Sequence, residues 1–198
     1  MFTQPQSVSF SVPSWVLPFA RDYAMTLDVE QRMEFVIAAS RRNICEKTGG
    51  PFAAAVFESH TGRLVSLGVN LVETRGLSVL HAEIVALMLA QRKLRTWDLG
   101  GDGVPDHDLF TSTEPCAMCL GSIPWSGIRS VVMGARDEDA RSIGFDEGEK
   151  PEGWAAALSR RGIRVLRDVR RGSARSVLDE YREKGVHVYS SRETRADA

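Results

Sequence analysis

Two short clusters, His81-Ala82-Glu83 and Pro115-Cys116-Ala117-Met118-Cys119, constrain this chain more than any other feature of it. Each stands where a loop or an extended stretch gives way to a helical pattern, so each opens a helix. Two thiolates three residues apart in a first helical turn can converge on one ion. An imidazole from the start of another helix then completes a three-ligand set with the fourth tetrahedral position open. The fold must therefore bring two helix openings together. No fourth Cys or His stands at a spacing that would close the shell, as a purely structural site requires. Glu83 lies two residues beyond His81, so at about 100° per residue its carboxylate leaves the imidazole's direction and reaches water at the open position instead of the metal.

The surrounding pattern alternates helices and strands. Val29, Met33, Val36, Ile37 and Ile44 recur at helical spacing up to the stop Thr48-Gly49-Gly50-Pro51. Phe52 to Phe57 and Leu64 to Val72 read as a β-hairpin around the turn residues Ser59-His60-Thr61-Gly62. His81 to Leu94 reads as a largely buried helix, Leu109 to Thr113 as a strand, and Cys116 to Trp125 as a short helix after Pro115. Arg129 to Ala135 and Ile163 to Val169 complete the strands; Glu152 to Arg161 and Ser173 to Lys184 complete the helices. This predicts a three-layer α/β/α sandwich around a mixed five-stranded sheet. Residues 1–28 are expected to form an N-terminal arm, and residues 29–198 a single domain with a C-terminal helix and tail.

Charge and cysteine content narrow the function. Lys and Arg number 25 against 26 Asp and Glu, a formal net charge of -1, so no overall positive field gathers nucleic-acid phosphates. The Arg-rich stretch from Arg160 to Arg175 holds Asp168, with Asp179 and Glu180 close behind it, and reads as a solvated face. Three cysteines cannot all pair, and Cys-x-x-Cys beside a distant His indicates metal ligation in a reducing compartment. Cys45 is expected to be a buried thiol. Pro13 and Pro18 interrupt the apolar N-terminal run, and no stretch reaches the roughly 18 apolar residues of a membrane span. A soluble, cytoplasmic protein is expected.

The His-x-Glu and Pro-Cys-x-x-Cys pair resembles the signature of zinc-dependent nucleobase deaminases. From about Gly49 to Gly162 the chain resembles the cytidine-deaminase superfamily, and within it the bacterial guanine deaminases, some of which also deaminate the triazine ammeline. The resemblance is carried by Gly49-Gly-Pro-Phe-Ala-Ala-Ala-Val-Phe57, Asn70, His81-Ala-Glu-Ile84, Glu114-Pro-Cys-Ala-Met-Cys119, Trp125-Ser-Gly127 and Ile143-Gly-Phe-Asp-Glu-Gly148. It implies one Zn2+ per subunit on His81, Cys116 and Cys119, with Glu83 as proton shuttle and Glu147 as a second acid. It also implies that Asn70 hydrogen-bonds the base and that Phe52, Trp125 and Phe145 enclose its ring. Ala82 is expected among the substrate-binding residues, and Asp146 either hydrogen-bonds the base or holds its loop. A homodimer is implied as well, with Tyr189 of the C-terminal segment approaching its own or a partner's site.

Two other readings stay open at the level of sequence. One is a deaminase of cytosine, cytidine or transfer-RNA adenosine. The other is a zinc-stabilised scaffold without catalysis, against which the intact Glu83 argues, because Glu83 is not needed to hold the metal. His60, His107 and His187 are expected to be exposed, Glu114 to support the loop before Pro115, and Trp97 and Trp154 to be packing residues.

Overall fold

The computed structural model describes residues 2–186 together with Val188 and Tyr189. A short helix α1 (Val16–Arg21) precedes α2 (Val29–Cys45), the hairpin β1 (Ala53–Glu58) and β2 (Leu64–Val69), and a single turn α3 (Val72–Arg75). Then come α4 (Ala82–Leu94), β3 (His107–Thr113), α5 (Ala117–Ser126), β4 (Ser130–Ala135), α6 (Asp137–Arg141), α7 (Trp154–Arg160), β5 (Arg164–Leu166) and α8 (Arg171–Glu183).

The sheet order is β2-β1-β3-β4-β5. β1 pairs antiparallel with β2 and β3, while β3, β4 and β5 run parallel, so the sheet is mixed and five-stranded as expected. Alternation along each strand sorts side chains onto two faces. Ala53, Ala55 and Phe57 of β1 join Phe110 and Val132 under Met33, Val36 and Ile37 of α2 and Val177 and Leu178 of α8. Ala54 and Val56 join Leu109, Val131 and Met133 under Ala86, Leu87 and Ala90 of α4 and Leu120 and Ile123 of α5. Each large apolar side chain buried in these layers stabilises the fold by about 1.5–3 kcal/mol relative to exposure.

Three elements escaped the sequence pattern: α1, α3 and α6 are each too short for helical periodicity to show. The N-terminal arm packs on the same core as the rest of the chain, with Trp15 and Val16 buried against it. His107, expected in a polar loop, is instead the first residue of β3 and buried, its Nδ1 2.8 Å from the Leu99 carbonyl. Cys45 departs in the opposite sense. It is the last residue of α2 and exposed, because Ile44 takes the inward position beside it. Trp97 is 77% exposed and is not a packing residue, whereas Trp154 is partly buried beneath the Arg167 guanidinium, 5.5 Å from its ring centroid. His60 is exposed as expected, and His187 lies outside the described residues.

Part of the Arg-rich stretch is paired with acids where it folds. Arg167 pairs with Glu114 at 2.5 Å, Arg171 with Glu138 and Asp139 at 2.5 and 2.9 Å, and Arg170 with Glu34. No helix among the described residues is long and apolar enough to cross a membrane.

Candidate active site

The two helix openings meet. His81 is the N-cap residue of α4 and Cys116 that of α5, both with extended backbone, so each ligand sits where its helix begins. Gly68 on β2 makes the placement of α4 possible: a Cβ there would lie 2.3 Å from the Ala82 carbonyl oxygen and 2.4 Å from the Ala86 nitrogen. The helix therefore rests directly on the strand, and its first turn is held at the end of the sheet. Cys116 Sγ is 3.5 Å from His81 Nδ1, and the ligand atoms of His81, Cys116 and Cys119 all lie within 4.8 Å of one another.

A cleft beside these atoms is lined by Phe52, Asn70, Ala82, Glu83, Thr113, Glu114, Phe145, Asp146, Glu147 and Tyr189. Phe52 and Phe145 meet edge to face with centroids 4.7 Å apart, forming one wall. Asn70 is buried at the end of β2, its Oδ1 accepting a long bond of 3.4 Å from the Val72 amide. Glu147 is tied to the start of α5, where the Ala117 N–H donates to its carbonyl at 2.9 Å. Asp146 holds its own loop, since its Oδ1 accepts from the Gly148 N–H at 2.9 Å.

Of the residues expected at the site, the structure brings together all but one. Trp125 is 82% exposed and lies in a separate surface groove with Leu87, Met88 and Ser122. It stands nine residues beyond Cys116, and a helix rises 1.5 Å per residue, which carries it about 14 Å along α5 from the metal ligand. Trp125 is therefore not a wall of its own chain's cleft. Thr111, Thr113 and Glu114 were given no part in the chemistry. Thr111 and Thr113 are two apart on β3 and so share a face, a strand-period signal that precedes Cys116. Thr111 Oγ1 donates to the Thr113 carbonyl at 2.9 Å and lies 3.4 Å from Glu83 Oε1, and Glu114 does brace the loop, paired with Lys150 at 2.9 Å.

The electrostatics suit a cation. Cys116 is brought down to about 4 by a hydrogen bond from the Cys119 thiol, with His81 assisting against the opposing effect of burial. Cys119 is pushed up by that same bond and by its burial. Burial opposes protonation of His81, but its contact with Cys116 and the negative charges around it prevail and raise its pKa. Burial, then the Cys116 charge, raises Glu83. Burial also lifts Glu147 to about 8, reinforced by the charges of Cys116 and Glu83. Negative groups thus crowd one another in a desolvated cleft, and two thiolates with one imidazole form the donor set that zinc prefers. The residues present fit the metal.

Fold and ligand set together place the chain in a known class: residues 27–135 match the cytidine and deoxycytidylate deaminase zinc-binding region, and the chain belongs to that family. Within it the chain is similar to the guanine deaminase of Nitrosomonas europaea, with 42% identity and a TM-score of 0.87 over 92% of this chain and 100% of that one. A solved variant in complex with 8-azaguanine is similar to the same degree, with 43% identity and a TM-score of 0.86 over 91% of this chain and 98% of that one. Among curated relatives, the guanine deaminase of Bacillus subtilis is 37% identical over 99 residues, which cover 50% of this chain and 59% of that protein.

Proposed function

We propose that this protein is a zinc-dependent hydrolase that converts guanine and water to xanthine and ammonia, with ammeline as a further substrate. The observation that carries this reading is a second buried carboxylate, Glu147, facing the same cleft as Glu83 beside the three ligands. Bound zinc would supply Lewis acidity, lowering the pKa of its water to about 7. Glu83 takes a proton from the attacking water and delivers it to a ring nitrogen as C2 becomes tetrahedral. Burial lifts Glu147 above the usual carboxylate range, so it can hold a proton and donate it to the leaving amine, and the C2 hydroxyl proton released as ammonia departs restores the acid. The amide of Asn70 offers donor and acceptor to the polar ring edge, while Phe52 and Phe145 shield the ring from water. The likeness to a variant solved with 8-azaguanine, a purine analogue, supports this choice of substrate.

A formal net charge of -1 and the pairing of Arg167 and Arg171 with acids favour a free base over transfer RNA. The test is ammonia release from guanine, ammeline, cytosine, cytidine, adenine and transfer RNA. Guanine is expected to give the highest kcat/KM by at least about tenfold; faster release from cytosine or from the polymer would overturn the assignment. Glu147→Gln is expected to lower guanine turnover by at least about tenfold, a modest value for loss of a general acid. An unchanged steady-state rate would remove Glu147 from the chemistry.

The remaining assignments are a cytoplasmic setting, which keeps Cys116 and Cys119 reduced, and a homodimer. The exposed Trp125 and Met118 on α5 support a partner surface there. Tyr189 lines the cleft of its own chain, which favours closure by its own C-terminal segment over a partner's.

A further inference from the structure

The cleft is built on a segment whose support lies outside it. Asn43, on α2, is fully buried and lines no part of the cleft. Both hydrogens of its side-chain amide are used: Nδ2 donates to the Gly50 carbonyl at 2.9 Å and to the Asn70 carbonyl at 3.0 Å. Its Oδ1 accepts from Thr48 Oγ1 at 2.7 Å, which fixes which end of the amide faces which way. The Thr48 hydroxyl in turn accepts from the Trp15 indole N–H of the N-terminal arm at 3.0 Å.

This chain of bonds is possible only because residue 49 is glycine. A Cβ at Gly49 would lie 1.8 Å from the Asn70 carbonyl oxygen and 2.8 Å from Asn43 Nδ2. Further ties converge on the same place. The Asn70 N–H donates to the Phe52 carbonyl at 3.0 Å, and Thr74 Oγ1 donates to the Thr48 carbonyl at 3.0 Å. Arg75 reaches back to the Ser11 carbonyl in the arm at 2.8 Å. The backbone that presents Asn70 and Phe52 is thus clamped from behind by one buried amide, and that amide is oriented from the arm.

We propose that Asn43, Thr48 and Trp15 act as a relay of positioning residues that sets the Asn70 amide for recognition of the base. The proposal rests on the reading of Asn70 as a base-binding residue. A misplaced recognition group weakens binding without touching the proton-transfer groups, so the expected signature is a raised KM with kcat preserved.

Truncating Asn43 would take from the buried Asn70 carbonyl the donor it has and from the Gly50 carbonyl one of its two, endangering folding, so the test uses Thr48→Val, which keeps the shape and loses the hydroxyl, beside Thr48→Ser, which keeps the hydroxyl. Thr48→Val is expected to raise KM for guanine at least about fivefold with kcat within about twofold, and Thr48→Ser to stay within about twofold on both. In an Asn70→Ala background the Thr48→Val effect is expected to vanish. Should Thr48→Val lower the Tm, Trp15→Phe, which keeps a ring and loses the N–H, reads the same quantity. The proposal is overturned if Asn70→Ala raises KM and Thr48→Val does not. It is equally overturned if the Thr48→Val effect persists undiminished without the Asn70 side chain. An Asn70→Ala variant with normal KM would sink the base-binding reading instead, and this proposal with it.

Discussion

Replacing Glu83 by Gln is expected to leave the zinc in place and lower the rate of ammonia release by about 10²- to 10⁴-fold, the usual contribution of a positioned acid–base group. Glu83 lies in the first turn of α4, two residues past His81, and is buried. The three converging ligand atoms belong to His81, Cys116 and Cys119, so the carboxylate is free for proton transfer. Burial and the Cys116 charge raise its pKa above the usual carboxylate range, which makes it a better proton acceptor than an exposed Glu. Thr111 Oγ1, which donates to the Thr113 carbonyl, lies 3.4 Å from one of its oxygens. Glutamine fills the same space, but it cannot take up a proton. The measurement is metal content beside steady-state kinetics. Loss of zinc in this variant would make Glu83 a ligand, and retained turnover would remove it from the reaction.

The prediction follows from a two-residue spacing that was legible before any fold was known. The convergence of His81, Cys116 and Cys119 was legible too, because metal ligands of this type at helix openings leave few alternatives. So was the order of strands and long helices, since hydrophobic periods of two and near four run over enough residues to be distinctive. What failed was local exposure. Trp125 matches a site residue by resemblance, yet its place nine residues along the helix that opens at Cys116 carries it away from the ligand, a spacing that the resemblance overrode. His107 looked like a loop residue because Asp106 and Asp108 flank it; the sheet extended to include it, and Asp108 was itself buried against Arg32 at 3.3 Å. The Asn43 relay left no trace in the pattern either. An Asn within a helix reads as a weak helix former, and only the approach of Gly49 to Asn70 gives its amide two carbonyls to hold.

Removal of the metal is expected to cost stability as well as activity, which separates the ligands from Glu83. In Cys119→Ser, or in the wild-type protein after chelation, deaminase activity should fall to background and Tm should drop. A ligand present at about 1,000 times its Kd stabilises the folded state by about 4 kcal/mol. For a chain of 198 residues, at about 2–4 °C per kcal/mol, this corresponds to a drop of about 8–16 °C. The direction is set by the site itself: His81 opens α4, Cys116 and the fully buried Cys119 open α5, and the cation ties the two openings together, so losing it removes that tie and leaves the Cys116 thiolate desolvated without a counter-charge. Adding Zn2+ back should restore both quantities in the chelated wild type but not in Cys119→Ser. Cys45→Ser should change neither, because Cys45 is exposed and is not among the three converging ligands. Glu83→Gln should lose turnover with little change in Tm. A chelated protein that keeps its Tm and its activity would show that these three side chains do not form a metal centre, however close their ligand atoms lie.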